Sequence, residues 1–400
     1  MTADTTKTAH FDRLSVPRGS RGPLRLDGST PVWWTIENVG DVPSPALLVY
    51  PDRAEENIRR LVAIAGDVSR VRPHMKTHKL PEIARLHVEH GIRKVKCATI
   101  AEAEMLAHAG MGDILLAYQP VGPTVERLLA LRAGFPATTF RAVVDDADAA
   151  RAIAAAAGET QPLELLVDLD VGMHRTGVEP ELALPLCRLL TSLAGARFAG
   201  LHAYDGHLRD PDPATRCAQA DEGFARVAAL ADALERDGIA VTRIVTGGTP
   251  TLPCHAPRAD TRIELSPGTT VFWDAGYARG LPDLDFLNAA VVLTRVVSKP
   301  GGSRVCVDLG HKAVASEMPH PRVVLYHGDA EITGTFVSHS EEHLVIETPA
   351  AASLRVGDVL YGIPWHVCPT VALHGTAVVV RDGRAVDRWK VTARERMLTV

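Results

Sequence analysis

The chain has 400 residues, 46% apolar and 23% charged, with 32 Gly and 27 Pro. That composition excludes a disordered or collagen-like chain, and the length suffices for a large α/β barrel plus a smaller domain, or for two medium domains. The formal net charge of −5 argues against a general nucleic-acid binder, because phosphate affinity needs a cationic surface.

No apolar run reaches membrane-spanning length, and the opening stretch MTADTTKTAHFDR has no hydrophobic signal region. The expectation is a cytoplasmic protein with neither a membrane nor a nucleic-acid partner. The cysteines Cys97, Cys187, Cys217, Cys254, Cys306 and Cys368 include no CxxC and read as reduced thiols.

Residues 1–30 are polar, rich in Thr, Arg and Gly, and read as a flexible arm. From Pro45 onward, short β-branched runs alternate with Ala/Leu/Glu/Arg stretches of helical spacing. The pattern predicts strands over Ala46–Tyr50, Arg70–His74, Lys94–Ile100, Asp113–Gln119, Phe140–Asp145, Glu164–Gly172, Phe198–Tyr204 and Arg243–Gly247. Helices are predicted over Ala54–Gly66, Pro81–His90, Ala101–Ala109, Val125–Ala133, Ala147–Ala157, Leu182–Leu193 and Pro213–Asp237, the last capped by Asp212.

Such alternation fits a (β/α)8 barrel of TIM type or a doubly wound sheet, and both place chemistry at the carboxyl ends of strands. Polar clusters recur at that end: RPHMKTHK, AYQPVG, DVGMHRTG, LHAYDGH and TGGTPT. A single shared mouth accounts for them best, so residues 31–280 read as a (β/α)8 barrel. Beyond about Gly280 the apolar residues alternate with polar ones and break at glycine turns, which predicts a mostly β domain over residues 281–400.

Lys76 ends the second predicted strand, where an amine is placed to form an imine with a carbonyl. Arg72, His74, His78 and Lys79 crowd it with like charge; a solvated basic loop is the plain alternative. Thr246-Gly247-Gly248-Thr249 and Ser266-Pro267-Gly268-Thr269 are glycine turns whose amides and hydroxyls suit one phosphate, although glycine turns after strands also arise for steric reasons.

His366 and Cys368, two apart in PWHVCP, share a face if the backbone is extended and then supply half of a Zn²⁺ site; packing within a sheet is the alternative. His202, Tyr204, His207 and Arg175 are the remaining polar candidates at strand ends. Residues 308–315 read as a loop facing a partner subunit's site.

Taken together, these pieces resemble the D-threonine aldolase / D-serine dehydratase family, pyridoxal phosphate enzymes of fold type III related to alanine racemase. The resemblance runs from about Trp33 to the C-terminus and rests on RPHMKTHK, AEAEMLAHAG, AYQPVG, DVGMHRTG, AYDGH, GGTPT, SPGT and PWHVCPT. It implies a homodimer with pyridoxal 5'-phosphate carried on Lys76. Arg175 and Tyr204 would touch the cofactor ring, with Gln119 at the same mouth. Thr246, Gly247, Gly248, Thr249, Ser266, Gly268 and Thr269 would form the phosphate turns, and His366 and Cys368 the divalent-metal pair. Alanine racemases carry an arginine where this chain has Ser266.

The implied substrate is a small D-3-hydroxy amino acid. Loss of its hydroxyl proton breaks the Cα–Cβ bond and yields glycine and an aldehyde; removal of the α-proton by Lys76 instead expels the hydroxyl and yields a 2-keto acid and ammonia. The His-x-Cys pair is the dehydratase pattern, and a thiolate favours Zn²⁺ over Mn²⁺ or Mg²⁺. AYQPVG, HAYDGH and VFWDAGY resemble the aldolase branch, and the aldolase reading is taken. His207 and His311 are the candidates for the hydroxyl's base. An amino-acid racemase would not need His366 and Cys368, and a non-catalytic cofactor carrier would not need the second domain.

Overall fold

The computed structural model describes residues 32–400, so the arm expected over residues 1–30 lies outside the described residues. The strand Ala46–Val49 (β1) begins the regular structure, followed by seven parallel strands that pair in sequence order. These are β2 (Lys94–Cys97), β3 (Asp113–Leu116), β4 (Thr139–Val144), β5 (Leu163–Leu169), β6 (Ala196–Ala203), β7 (Ile244–Thr246) and β8 (Ile263–Leu265).

An irregular segment spans the gap between β8 and β2. Val71 bridges to Leu265 and His74 to Lys96, both parallel. Arg72 N–H donates to Leu265 O at 2.9 Å, and Lys96 N–H to Pro73 O at 3.0 Å. Pro73 has no N–H to give a ladder, so this segment bridges its neighbours without becoming a regular strand.

The barrel is therefore present, with two changes of membership. Ala46–Val49 pairs antiparallel with β9 (Ala290–Gly301) in the second sheet, and the unpredicted three-residue β8 takes a barrel place. The helices fall where their spacing predicts. The longest, Pro213–Arg236, has Pro213 at its start and Asp212 accepting from Thr215 N–H.

Inside the barrel, Leu115, Val143, Leu166, Ala199 and Val245 form an apolar plug. At the amino ends of the strands lies a buried charge layer centred on Arg72, which is 0% exposed. Its guanidinium donates to both oxygens of Asp113 at 2.8 and 2.9 Å, to Val95 O at 3.2 Å and to Glu264. Arg72 thus ties the irregular segment to β3 and β8 at once. At the carboxyl ends, Lys96, Asp168 and His202 face a cavity.

The second region is mostly β, as the alternation predicts. Its strands are β9, β10 (Arg304–Val307), β11 (Val323–His327), β12 (Ala330–Glu331), β13 (Thr335–His339), β14 (Leu344–Glu347), β15 (Val359–Pro364), β16 (Thr376–Arg381) and β17 (Arg384–Lys390). The main path runs β12-β11-β15-β9-β1-β16-β17.

One expectation about the thiols is overturned. Cys217 and Cys254 form a disulfide, because helix Pro213–Arg236 lies beside the short helix Leu252–His255 and brings the two Cα atoms to 5.0 Å. Their separation of 37 residues hides that proximity in the sequence. Cys97, Cys187, Cys306 and Cys368 are free.

Removing one partner of a buried ion pair leaves the other charge uncompensated, at a cost of about 3–5 kcal/mol. Arg72→Ala should lower the free energy of urea unfolding by that amount; a loss below about 1 kcal/mol would remove Arg72 from its closing role.

Candidate active site

The cavity at the carboxyl ends of the barrel strands has a volume of about 540 Å³, within the usual span for a small-molecule site. Lys76, His74, Lys96, Gln119, Arg175 and Tyr204 are among its lining residues. Lys76 sits on a single 3-10 turn, Met75–Thr77, directly after the irregular barrel segment.

The cations expected around Lys76 are arranged differently from the sequence order. Arg72 turns down into the charge layer, Lys79 pairs with Glu102, and His78 contacts Met75 Sδ at 3.1 Å. The amine instead shares the Tyr204 ring with two other cationic side chains. Lys76 Nζ lies 6.0 Å from the ring centroid, Lys96 Nζ 5.2 Å, and the Arg175 guanidinium carbon 5.3 Å. Gln119 lines the mouth, but its Oε1 is taken by the amides of Asp145 and Asp146 at 2.8 and 3.3 Å, so it also fixes the loop after β4.

The two glycine turns meet through one side chain. Thr249 Oγ1 accepts from Gly268 N–H at 3.0 Å and from Thr269 N–H at 3.1 Å. Two amides converging on one oxygen position is the arrangement by which backbone receives an anion. Gly247 has φ +82°, which favours glycine, and a Cβ on Gly248 would make a tight contact 3.1 Å from the Tyr204 ring. Thr246 is buried with its hydroxyl on Ala203 O, and Ser266 donates to Arg72 O at 2.9 Å. The cavity and its amine fit pyridoxal phosphate, and the first glycine turn adjoins them where Gly248 lies against the Tyr204 ring.

His366 and Cys368 do not lie on an extended strand. β15 ends at Pro364, His366 is the N-cap residue of helix Val367–Leu373, and Cys368 is in its first turn. Pro369 suits that turn because its missing N–H has no partner to lose there. The two side chains nonetheless lie close enough to shift each other's protonation, and His366 Nδ1 bonds Glu317 Oε1 at 2.5 Å. Burial pulls the His366 imidazole down, but Cys368, with Glu317, outweighs this and raises it to about 9. Burial pushes the Cys368 thiol up, and His366 more than reverses this.

Cys368 Sγ is 3.1 Å from Thr77 Oγ1 and 3.7 Å from Thr269 Oγ1, which brings the pair to the residue beside Lys76 and to the second glycine turn. Imidazole and thiolate suit a divalent ion, and two protein ligands leave positions for water or substrate. Among the described residues no group of three or more His, Cys, Asp or Glu gathers as a metal cluster.

The other two candidates are placed apart. His207 stands beside Gly172, and its Nδ1 is buried without a hydrogen-bond partner among the described residues. His311 lies in the second region, its ring 6.1 Å from that of His339.

Three residues with evident consequences carried no role in the sequence reading. Asp274 accepts from Val367 N–H at 3.0 Å and from Tyr277 N–H at 2.9 Å, pinning the corner that carries His366 and Cys368. Burial is the main cause of its rise to about 6. Asp168 accepts from His202 Nδ1–H at 2.6 Å, and Lys96 Nζ donates to His202 Nε2 at 3.2 Å. Burial and the charge of Lys76 bring the Lys96 amine down to about 7, although Asp168 and Asp205 pull it up. Only the KVKC alternation, which points Lys96 inward with Lys94, hints at this in the sequence.

An amine held below its unfolded value stays protonated in the unfolded chain after it has lost its proton in the fold. From about pH 7 to 10 the unfolded state therefore binds more protons, and stability rises with pH on this group's account. The stability of wild type relative to Lys96→Met should climb by about 1.4 kcal/mol per pH unit across that window and level off in acid. A flat difference would mean that Lys96 titrates normally.

A family profile for the alanine racemase N-terminal domain matches residues 49–275, and one for a serine dehydratase domain matches residues 289–380. A D-threonine aldolase of Arthrobacter sp is 35% identical over 361 residues, covering 88% of this chain and 93% of that one. D-threo-3-hydroxyaspartate dehydratase of Delftia sp. strain HT23 is 26% identical, covering 87% of this chain and 96% of that one. The crystal structure of D-threonine aldolase from Filomicrobium marinum superposes with a TM-score of 0.79 at 30% identity, over 89% of this chain and 96% of the other. The chain belongs to the family of alanine-racemase-like pyridoxal phosphate lyases that includes the D-threonine aldolases and D-serine dehydratases.

Proposed function

We propose that this enzyme cleaves D-3-hydroxy amino acids to glycine and an aldehyde, as a pyridoxal phosphate- and metal-dependent aldolase. The observation that supports the reading is proximity within one chain: Lys76 and Tyr204 line one cavity, Gly248 lies against the Tyr204 ring, and Cys368 reaches both Thr77, beside Lys76, and Thr269 of the second glycine turn. When bound, the cofactor supplies an electron sink for the reacting carbon and the metal ion supplies a Lewis acid at the substrate hydroxyl.

The chain's own residues then have distinct tasks. Lys76 holds the cofactor by its amine, while Thr246, Gly247, Gly248, Thr249, Ser266, Gly268 and Thr269 shape the turns that receive its phosphate. Tyr204 and Arg175 flank the ring, and Gln119 keeps the adjoining loop in register. His366 and Cys368 hold the metal ion, Zn²⁺ in preference to Mn²⁺ or Mg²⁺ because of the thiolate.

His207 is our candidate to take the hydroxyl proton, supported only by a buried Nδ1 that has no hydrogen-bond partner among the described residues. His311 belongs to the same proposal through a homodimer that carries it to a partner's mouth. Tyr118 and Val121, 60% and 55% exposed on the cavity rim, are apolar surface for such a partner to cover. Two units follow the same division, a cofactor barrel over residues 31–280 and a β unit over 281–400 bearing the metal pair.

A dehydratase is the second reading. The His-x-Cys pair supports it, as does the likeness to the Delftia enzyme, whose cysteine variant has been solved in a metal-free form.

Two substitutions test the constellation. Lys76→Ala should abolish the visible absorbance of lysine-bound cofactor. Cys368→Ala should empty the metal site by elemental analysis and lower kcat by more than about 100-fold, the upper end of what losing a hydrogen-bond partner of a metal ligand costs. Full metal content in Cys368→Ala would remove the thiolate from the site.

A further inference from the structure

A lysine that is 1% exposed inside a barrel is costly unless something holds it and uses it. Lys96 is held on one side only. Asp168 accepts from His202 Nδ1 and also from Thr176 Oγ1 at 3.0 Å, which fixes the carboxylate. With its Nδ1 proton committed to Asp168, His202 offers Nε2 as an acceptor, and Lys96 donates to it. The rest of the Lys96 amine faces the cavity, beside the same Tyr204 ring as Lys76.

We propose that Lys96 is the proton acceptor for the incoming substrate ammonium, with His202 and Asp168 as the positioning pair behind it. The inference rests on the cofactor-lysine reading of Lys76. An amino acid arrives as an ammonium and must lose a proton before its nitrogen can attack. In the step, one N–H bond of the substrate breaks and its electron pair stays on the substrate nitrogen. An N–H bond forms on the lone pair of Lys96 Nζ, so the positive charge moves from substrate to enzyme. When glycine leaves as an ammonium it takes that proton back, and no other reactant is consumed.

The surroundings favour a Lys96 that alternates between charge states. From the turn before β2 it faces Lys76 and His74, and from the loop after β5 it faces Arg175. From β5, β6 and the loop that follows β6 it meets Asp168, His202 and Asp205. Burial first, then the Lys76 and Lys96 charges, keep the His74 imidazole well below its ordinary value, so it adds no fixed charge. Asp168 and Asp205 thus bracket the amine against Lys76 and Arg175, and its own pKa, lowered first by burial to about 7, leaves it ready to accept near neutrality.

The test uses the full chain loaded with cofactor and metal, with glycine as the probe amine. Stopped-flow absorbance follows the rate at which glycine displaces Lys76, from about pH 6 to 9, alongside cofactor affinity from a fluorescence titration. In wild type the rate should rise through about pH 7. In Lys96→Met that rise should vanish and the rate at pH 8 should fall by about 100-fold, the low end of general-base catalysis, with cofactor affinity little changed. Lys96→Arg, which keeps a cation beside Tyr204 but cannot release its proton, should behave like Lys96→Met. A Lys96 that only packs against Tyr204 predicts the reverse: weaker cofactor binding, an intact rise near pH 7 and rescue by arginine.

If Lys96→Met does not fold, the same comparison is made with Lys96→Arg and His202→Asn, and an unmoved rise in both overturns the proposal. Absence of lysine-bound cofactor absorbance in wild type overturns the Lys76 reading and this inference together; normal absorbance with an unmoved rise overturns this inference alone.

Discussion

The site depends on the closure of the barrel by an irregular segment, and that closure depends on one buried arginine. Arg72 ties the segment to Asp113 at the start of β3 and to Glu264 in β8, where Pro73 cannot contribute a ladder hydrogen bond. Lys76 follows three residues after Pro73, so the clamp that closes the barrel also sets the height and direction of the amine. A regular strand at that place would carry its ladder on through Pro73 and leave no turn at Lys76.

Above the apolar plug, the problem is one of charge. The Lys76, Lys96 and Arg175 side chains gather at the Tyr204 ring, and the glycine turns lie nearby with two amides converging on Thr249 Oγ1, a region suited to an anionic cofactor. The Asp168–His202 pair offsets part of that positive charge from below and gives Lys96 a fixed hydrogen-bond partner in His202. From the other side, Asp274 anchors the corner that brings His366 and Cys368 down to Thr77 and Thr269. The second region thus works as part of the barrel's mouth, and β1, by pairing with both β9 and β16, ties the chain's beginning into that same sheet.

The sequence reveals the barrel and the β region because each is written locally in periodicity, and Lys76 and the glycine turns draw notice as short polar clusters at strand ends. It misplaces Ala46–Val49, since a short apolar strand does not say which sheet it joins, and it passes over Ile263–Leu265, whose three residues are too few for a pattern. PWHVCP reads as extended because the alternation of the region suggests it, whereas a helix starts at Val367 with Pro369 in its first turn. Lys96 and Asp168 stay hidden because a charged residue in a buried strand has meaning only once its neighbours across the barrel are known. The Cys217–Cys254 bridge is hidden for the same reason, its partners meeting through two packed helices.

The central claim is that this constellation breaks a carbon–carbon bond. The most direct measurement is product analysis of the purified enzyme, supplied with pyridoxal phosphate and Zn²⁺ or Mn²⁺ and offered D-threonine and D-serine separately. The account predicts glycine and acetaldehyde from D-threonine. A 2-keto acid with ammonia, in place of glycine, would contradict it and assign the same residues to dehydration.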